Sequence, residues 1–384
     1  MADFNNLYTQ MLTKMDERFK EKSLTESMCG HNYTWGDNAT ITIPTVNHAA
    51  LVDYDLTAAY GQRTGAIQDI SDELNTYTVS RKRTFHAAID EVVSMDQRFI
   101  RKAANVARDT VDFELIPEND KYRMKTWANG AGIVMRGTSA DIASDKDANG
   151  KDIIRTLLTI NAKANNKFVP REGRRFVLSE SLAIETQLAE RLGYNDQYTT
   201  KTIVNGQISH IGNIPIIAVP DEYMPTGCDI IMKWAGSSVD PTKAHKIRFL
   251  DKVAGSFATH IEGLFRYDSF VLANKANGII CFGATTANIC ADPVFTKVAG
   301  TSGAADTFTI TSSTNGASIK YVISPWKDGF NPKVHEDATA YSSGIEISDT
   351  NRNMYVTAYA YKDGLLTSGI AGPIKIADIK AAAT

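Results

Sequence analysis

Apolar and polar residues alternate along two stretches near the start of the chain, and this period of two predicts β-strands. In "ATITIP" the alternation places Ile41 and Ile43 on one face. The second stretch, "NTYTVSRKRTFHAAID", places five apolar side chains on one face: Tyr77, Val79, Phe85, Ala87 and Ile89. The residues between the two stretches are polar and interrupted by glycine, so the pattern predicts an extended hairpin arm. Because an isolated hairpin is marginally stable in water, we expect something outside the subunit to cover it.

A period typical of helix follows the second stretch. Ser94 and Gln97 have the spacing of a capping box, which predicts a helix that begins at Met95. Apolar residues and one threonine then recur at spacings of three and four: Phe99, Ala103, Val106, Thr110 and Phe113. We expect the apolar members of this stripe to be buried. The helix should continue towards Trp127, with a kink or a break at Pro117, because proline cannot donate the helical hydrogen bond.

The passage between strand and helix, "FHAAIDEVVSMDQRF", holds one histidine and three carboxylates, a set also found in metal and acid–base sites. The strand period turns His86 away from the apolar face, and Asp90 and Glu91 fall where the strand ends. Asp96 falls in the first helical turn, where the helix dipole stabilises an acidic side chain. These positions account for the acids structurally, so the passage is interpreted as a strand-to-helix junction.

A polar loop is predicted over residues 129–151, which are rich in Gly, Asp, Asn and Ser. Four residues of "DKDANG" match the beginning of an EF-hand calcium loop: Asp145, Asp147, Asn149 and Gly150. The bidentate acid that such a loop needs falls on Thr156, so a polar turn is predicted instead. The chain also lacks phosphate-binding, nucleophile-elbow and zinc-protease motifs. No catalytic residue, cofactor-binding residue or metal ligand is therefore predicted.

Three other regions complete the predicted organisation. Residues 4–22 are predicted to form a short amphipathic helix, interpreted as a terminal arm that needs a partner surface. Residues 153–225 alternate helix and strand patterns, as in "DIIRTLLTINAKANNK" and "RRFVLSES", and residues 228–282 return to strand patterns. After a linker near residues 287–292, about seven short strands rich in Thr, Ser and Tyr predict a small β-sandwich.

The strand "YVTAYAY" of this last region has two contrasting faces. Its predicted inner face is small and apolar and consists of Val356, Ala358 and Ala360. The opposite face carries an aromatic row: Tyr355, Tyr359 and Tyr361. Such a row is typical of strand propensity with half-buried rings, while the alternative hypothesis is a contact surface for sugars or a cell surface.

Composition narrows the classes of function. The 384 residues are 43% hydrophobic and 22% charged, which is typical of a soluble globular protein of two or three domains. A net charge of −3 provides no electrostatic basis for tight binding of nucleic-acid phosphates. The four scattered cysteines predict neither a zinc site nor a disulfide framework and favour a reducing compartment. The N-terminus lacks a signal-peptide core and no stretch is long enough to span a membrane, so synthesis and folding in cytoplasm are expected.

The order of the predicted elements resembles that of the major capsid proteins of tailed bacteriophages, which have the Hong Kong 97-type fold. "FHAAIDEVVSMDQRF" and "FELIPENDKYRMKTWA" are similar to the family's passage from strand to spine helix. "VPREGRRFVLSESLAIETQLA" resembles a strand and helix of its axial domain. "GQISHIGNIPIIAVPDEYMP" and "HIEGLFRYDSFVLANKANGII" resemble its closing elements. Together these stretches span roughly residues 24–283.

The resemblance implies an α+β fold with three parts: an N-terminal arm at 1–23, a capsid shell domain at 24–290 and a C-terminal domain at 291–384. Within the shell domain it implies an E-loop at about 40–80, a spine helix at about 94–127 and an axial domain at about 153–235. The C-terminal part resembles immunoglobulin-like and chitobiase C-terminal-like domains through "GASIKYVISPWKDG". It is expected to be an all-β sandwich on the particle surface.

The function that the resemblance implies is structural and not enzymatic. Copies of the chain would assemble into hexamers and pentamers of an icosahedral shell around double-stranded DNA, bound without sequence specificity. Because about twenty residues precede the family-like region, a separate scaffolding protein is expected, together with a portal protein. The resemblance places the protein in the virion capsid, assembled in the host bacterial cytoplasm, with no membrane as partner. Contact between the C-terminal domain and host-surface glycans is a further hypothesis.

Two alternatives stay open from the sequence alone. An encapsulin-type bacterial nanocompartment would use the same shell fold, although an outward sandwich suits a virion better. A surface or carbohydrate-binding protein would account for the last module. The absence of a signal peptide and of a paired-carboxylate motif disfavours it.

Overall fold

The computed structural model describes most of the chain, in these ranges: 23–30, 40–46, 53–57, 59–61, 63–64, 72–90, 103–145, 150–191, 203–204, 207–208, 210–211, 214–250, 258–300, 305–325, 327, 331–334 and 338–381. Within these ranges there are four α-helices: α1 Ala103–Thr110, α2 Ile116–Gly130, α3 Ile153–Asn166 and α4 Glu180–Arg191. The fold is a mixed α+β fold with few helices and many strands.

The strands of the first two thirds of the described chain form one sheet of six strands and several small sheets: β1 Thr40–Val46, β2 Asp72–Thr78, β3 Lys82–Asp90, β4 Ile133–Arg136, β5 Arg174–Ser179, β6 Ile203–Val204, β7 Gln207–Ile208, β8 His210–Ile211, β9 Ile214–Val219, β10 Ile230–Trp234, β11 Ser238–Val239, β12 Thr242–Leu250, β13 Ala258–Tyr267, β14 Phe270–Val271 and β15 Ile279–Gly283. The remaining strands form two sheets near the C-terminus: β16 Val294–Val298, β17 Thr307–Thr311, β18 Ser318–Ser324, β19 Thr339–Ala340, β20 Ile345–Glu346, β21 Tyr355–Tyr361 and β22 Ala371–Lys375.

The chain folds into two compact units, and the smaller one includes residues 80–120 and 242–267. Its sheet is antiparallel with the strand order β12-β13-β3. Phe85 and Phe265 stack across two neighbouring strands with ring centroids 6.0 Å apart. Gly263 lies opposite Phe85 in the register, and a Cβ there would lie only 2.2 Å from the Phe85 ring. The stacked rings therefore require glycine at this position.

The predicted long strand at 75–90 is divided, which corrects the sequence-based expectation of one continuous strand. β2 pairs with β1, whereas β3 pairs with β13 in the smaller unit. Val79–Arg81 separate the two strands. The alternation itself is confirmed, since Tyr77 and Val79 are buried and Phe85 is half-buried. Both halves need the same alternation, so the pattern could not show that they serve different sheets.

The predicted long helix is confirmed from Ala103 onwards, and residues 91–102 lie outside the described ranges. Between α1 and α2 the residues Val111–Leu115 form a π-helical turn, immediately before Pro117. Proline has no N–H to donate, so a local change from i→i−4 to i→i−5 bonding accommodates it. Because this turn contains an extra residue, evenly spaced side chains cannot stay on one face across it. Val106 and Phe113 are accordingly half-buried and not fully buried as predicted.

The larger unit is built on the six-stranded mixed sheet, with strand order β4-β15-β10-β5-β9-β8. Helix α3 begins at the N-cap Asp152, whose Oδ1 accepts a hydrogen bond of 2.6 Å from the Arg155 backbone N–H. The apolar positions of α3 have spacings of four, three and four, which turns them to one face. They pack with strand residues in the main core: Ile153, Leu157, Ile160, Ala164, Phe176, Leu178, Ile230, Met232 and Ile280.

Residues 291–381 of the same unit form two antiparallel sheets, β16-β17-β20 and β19-β18-β21-β22. A common core lies between them: Phe308, Ile310, Ile319, Val356, Ala358, Ala360, Ile376 and Ile379. The predicted inner face of "YVTAYAY" is therefore confirmed. Of the tyrosine row, Tyr359 is buried and Tyr355 and Tyr361 are half-buried, which favours the packing interpretation of the row.

Candidate assembly interface

The hairpin arm predicted from the sequence is formed by β1 and β2. Its strands pair in the register Thr40↔Thr78 to Val46↔Asp72. On the exposed face, threonine hydroxyls approach each other across the strands, with 3.0 Å between the Oγ1 atoms of Thr40 and Thr78. Cross-strand threonine pairs of this kind contribute a few tenths of a kcal/mol, up to about 1 kcal/mol each. The arm thus has a defined register, and this threonine pair lies on an exposed face.

The base of the arm is anchored in a small apolar cluster of the larger unit. The ring centroids of Tyr77 and Phe270 lie 5.5 Å apart. Ile41 and Ile43 of β1 pack against the cluster that contains Tyr77 and Val239. This contact positions the base of the arm. The alternation of "ATITIP" and "NTYT" predicted the buried face of the arm correctly.

The far part of the arm exposes large apolar side chains. Exposed fractions are 59% for Tyr54, 73% for Leu56 and 90% for Tyr60. The loop is nevertheless ordered locally: Asp55 Oδ1 accepts a 2.8 Å hydrogen bond from the Thr57 N–H, and the Asp55 N–H donates to a backbone carbonyl across the loop over 3.0 Å. We name residues 53–57, 59 and 60 the arm tip. Several exposed apolar side chains on an ordered loop are typical of a binding surface.

A second feature of the larger unit is the segment Thr25–Gly30, which is held by buried polar groups. Lys233 is fully buried, donates a hydrogen bond to the Met28 carbonyl, and has its Nζ 4.3 Å from the centre of the Trp127 ring. Burial lowers the pKa of Lys233 to about 8, although Asp240 acts in the opposite direction. A desolvated ammonium group therefore helps to hold this segment to the core of the larger unit.

Asp240 and Arg123 complete this buried network. Asp240 accepts hydrogen bonds from Trp127 Nε1 at 3.3 Å and from Ser269 Oγ at 2.6 Å. Arg123 donates to Glu26 Oε2 over 2.9 Å. Sequence reasoning missed Lys233, and the signal that could have found it is a single charged residue in the apolar strand "CDIIMKW". A buried lysine needs partners, and these lie far away in sequence.

In the smaller unit, Glu118 on α2 joins two arginines from the start of the strand sheet. Its Oε1 accepts from Arg81 and, over 2.7 Å, from Arg83 Nε. Partial burial alone would raise the pKa of Glu118, but the hydrogen bonds from Arg81 and Arg83 outweigh it and lower the pKa. Glu118 therefore stabilises this unit as a carboxylate.

The C-terminal sheets are joined to the core of the larger unit by polar contacts. Lys333 Nζ donates to the Ala131 carbonyl over 2.7 Å and lies 3.0 Å from Thr367 Oγ1. Arg136 Nη1 donates to Asp292 Oδ2 over 3.0 Å. Burial lowers the pKa of Lys333 to about 7, although the nearby cysteines and Asp292 oppose the shift. These contacts connect the last strands to the end of α2 and to β4.

The candidate chemical groups noted in the sequence do not converge. His86 is exposed, as predicted, and its Nε2 lies 2.9 Å from His260 Nδ1 on the neighbouring strand. Asp145 is exposed, while 146–149 of the calcium-like stretch lie outside the described ranges. Across the part of the chain that the structure describes, no three His, Cys, Asp or Glu side chains are grouped as a metal site.

The four cysteines are buried, and the described helices are too short or too polar to span a membrane. Cys29, Cys228, Cys281 and Cys290 are buried free thiols. Burial raises the pKa of Cys29 far above its ordinary range, with Asp240 adding to the effect. No helix within the described ranges is long and apolar enough to cross a membrane.

Comparisons with known proteins identify the fold. No protein-family model matches the chain, and no curated protein matches its sequence. The structure is similar to one from Mycobacterium phage Che8, with a TM-score of 0.57 at 14% identity over 74% of this chain and 99% of that chain. The capsid structure of cyanophage P-SCSP1u matches with a TM-score of 0.58 at 10% identity over 72% and 93% of the two chains. The mature capsid of bacteriophage PhiM1 matches with a TM-score of 0.54 at 9% identity, over 71% of this chain and 90% of that chain.

At identities of 9–14% these similarities show a shared fold. The chain has the fold of phage capsid subunits. The resemblance drawn from the sequence is thereby confirmed at the level of the fold.

Proposed function

We propose that this chain is the major capsid protein of a tailed bacteriophage and that its copies assemble into the hexamers and pentamers of an icosahedral shell. One observation carries the proposal: a subunit with a phage-capsid fold exposes Tyr54, Leu56 and Tyr60 on a long arm, and the base of that arm packs in an apolar cluster of the larger unit. In a closed shell a neighbouring copy would cover these side chains. Burying a side chain of this size contributes about 1.5–3 kcal/mol, repeated at every copy.

The division of the chain follows from the same proposal. We assign residues 1–23 to an N-terminal arm, 24–290 to the shell domain and 291–384 to an immunoglobulin-like domain on the outer surface. The separate apolar core of the C-terminal strands, which includes Phe308 and Val356, supports the last of these boundaries. Within the shell domain, residues 40–80 would be the E-loop, 94–127 the spine helix and 153–235 the axial domain.

The proposed partners are those of a DNA-filled shell. Its interior would enclose double-stranded DNA without sequence specificity, which a net charge of −3 permits because the wall does not need to bind phosphates tightly. Separate scaffolding and portal proteins would direct its assembly in the host bacterial cytoplasm. Glycan contact through the tyrosine row has little support, because Tyr359 is only 9% exposed.

Electron microscopy of the expressed protein tests the proposal. We expect closed shells or capsomers for the full chain. A variant in which a short turn replaces residues 47–71 should remain folded by circular dichroism and fail to form shells. Substitution of the exposed Thr64 by Ala is the matched control and should assemble normally. Monomers only, under every assembly condition and with scaffold co-expressed, would contradict the proposed function, and unfolding of the deletion variant would place the arm in a domain core.

A further inference from the structure

A cleft in the larger unit has the properties of a binding site that the shell fold alone does not explain. Its volume is about 980 Å³, and it lies between the end of α3, the strand β4 and the C-terminal sheets. Its lining includes Lys163, Lys167 and Phe168 from the end of α3, and Lys327 and Asn331 from the C-terminal region. A volume of this size accommodates several side chains of a peptide segment.

Phe168 stands at this cleft in an unfavourable backbone conformation. Its φ is +55°, and no other non-glycine residue in the described ranges has a positive φ. The hydrogen bonds from the Phe168 N–H to Asn165 and from the Val169 N–H to Ala164 form a Schellman cap, in which glycine is the usual residue at this position. The left-handed conformation costs a bulky residue about 1–2 kcal/mol. Since Phe168 is 92% exposed, its ring gains almost no packing within the subunit to offset that cost.

Asn331 provides a second and independent sign of a ligand. It is only 4% exposed, yet its Nδ2 has no hydrogen-bond partner among the residues that the structure describes, whereas its Oδ1 accepts from the Lys333 N–H over 3.0 Å. A buried donor without an acceptor costs about 1–3 kcal/mol. Because Asn331 lines the cleft, an acceptor oxygen on an occupant would satisfy this donor.

The charge of the cleft selects the type of occupant. Lys163, Lys167 and Lys327 line it against one carboxylate, Asp292. That carboxylate is already engaged, because Asp292 Oδ2 accepts from Arg136 and its Oδ1 accepts from the Gly369 N–H over 2.8 Å. The cleft therefore favours a segment with carboxylates, backbone acceptors and an apolar side chain that can contact Phe168.

We propose that the occupant is the arm tip of a second copy of this chain. The tip combines the exposed side chains of Asp53, Tyr54, Leu56 and Tyr60, which supply both negative charge and apolar surface. This inference rests on the proposed function, since it names the surface on which the arm of one subunit docks in the shell. It also places Phe168 and Asn331 at the contact between copies.

Disulfide trapping tests the pairing directly. One chain carries Leu56→Cys, a second carries Asn166→Cys at the cleft, and the two are assembled together, so a bond between them can only join different copies. The native cysteines described above are all buried, which keeps the background low. We expect a dimer band from assembled particles under mild oxidation. The matched control replaces Asn166→Cys by Asp349→Cys, an exposed position on a C-terminal loop, and should give no dimer.

Charge reversal provides the second measurement. Lys163→Glu with Lys167→Glu should lower the yield of shells at least tenfold, and Asp53→Lys in the arm tip should restore part of the yield when combined with them. If wild-type shells form but Leu56→Cys and Asn166→Cys give no crosslink, this inference is overturned and the proposed function stays intact. This inference is also overturned if the variant with Lys163→Glu and Lys167→Glu assembles normally but its particles lose binding to an anionic polysaccharide. Absence of wild-type shells contradicts the proposed function itself.

Discussion

Replacing the buried Lys233 by methionine should remove a defined part of the pH dependence of unfolding. Folding transfers the Lys233 ammonium into a site with no exposure, next to the Trp127 ring and the Met28 carbonyl. Methionine has a similar length and no charge, so Lys233→Met removes the titrating group while it keeps most of the volume. The difference in unfolding free energy between wild type and Lys233→Met should therefore change with pH. This change is expected whether the substitution stabilises or destabilises the subunit at any single pH.

The magnitude follows from the two pKa values of Lys233. Burial lowers the pKa from 10.5 to about 8 in the folded chain. Below pH 8 both states hold the proton, and the full penalty of burying the charge is present. Between about pH 8 and 10.5 the unfolded chain binds a proton that the folded chain lacks, so stability rises with pH there. Integrated from pH 7 to pH 10, this linkage amounts to about 2.5 kcal/mol.

Urea unfolding of the unassembled subunit, followed by circular dichroism at several values between pH 7 and pH 10, measures this effect. The difference in unfolding free energy between wild type and Lys233→Met should change by about 2.5 kcal/mol across this range. Lys125→Met, on an exposed face of α2, is the matched control and should change it by less than about 0.5 kcal/mol. Parallel curves for wild type and Lys233→Met would refute the argument that a desolvated ammonium holds the segment Thr25–Gly30.

Two other substitutions test the two units separately. Glu118→Gln should lower the melting temperature at pH 7 by an amount equivalent to less than about 1 kcal/mol, because the carboxylate that binds Arg81 and Arg83 is 34% exposed. Folding lowers the pKa of Glu118, so the difference in melting temperature between wild type and Glu118→Gln should shrink when the melts are repeated below the usual pKa of 4.5. A difference that stays constant with pH would contradict the ion pair. Phe308→Ala, at a fully buried ring, should lower the free energy of unfolding by about 3–5 kcal/mol in urea titrations. Val294→Ala, at a 59% exposed position, should change it by about 0.5 kcal/mol or less, and equal effects would contradict the C-terminal core.

Local periods in the sequence predicted much of this structure because burial on one face of an element produces them directly. The inner face at Val356, Ala358 and Ala360 is an example, and so is the outward His86. The break at Val79–Arg81 could not be predicted, because the partner strand of each half lies elsewhere in the chain. The cleft at the end of α3 is less predictable still: Asn331 and Phe168 have no local signal, since one is defined by a missing hydrogen-bond partner and the other by a backbone angle.

The strand order of the six-stranded sheet has a consequence for synthesis of the chain. β15 is the last of its strands to leave the ribosome, yet it lies between β4, with which it is parallel, and β10. About 150 residues separate Arg136 from Gly283, which corresponds to roughly 7–30 s of translation at about 5–20 residues per second. During that time β4 lacks its neighbour in the sheet, and β10, once it is made, lacks one of its two neighbours. Unpaired strand edges favour aggregation. A nascent subunit therefore completes its central sheet only after Gly283 is made.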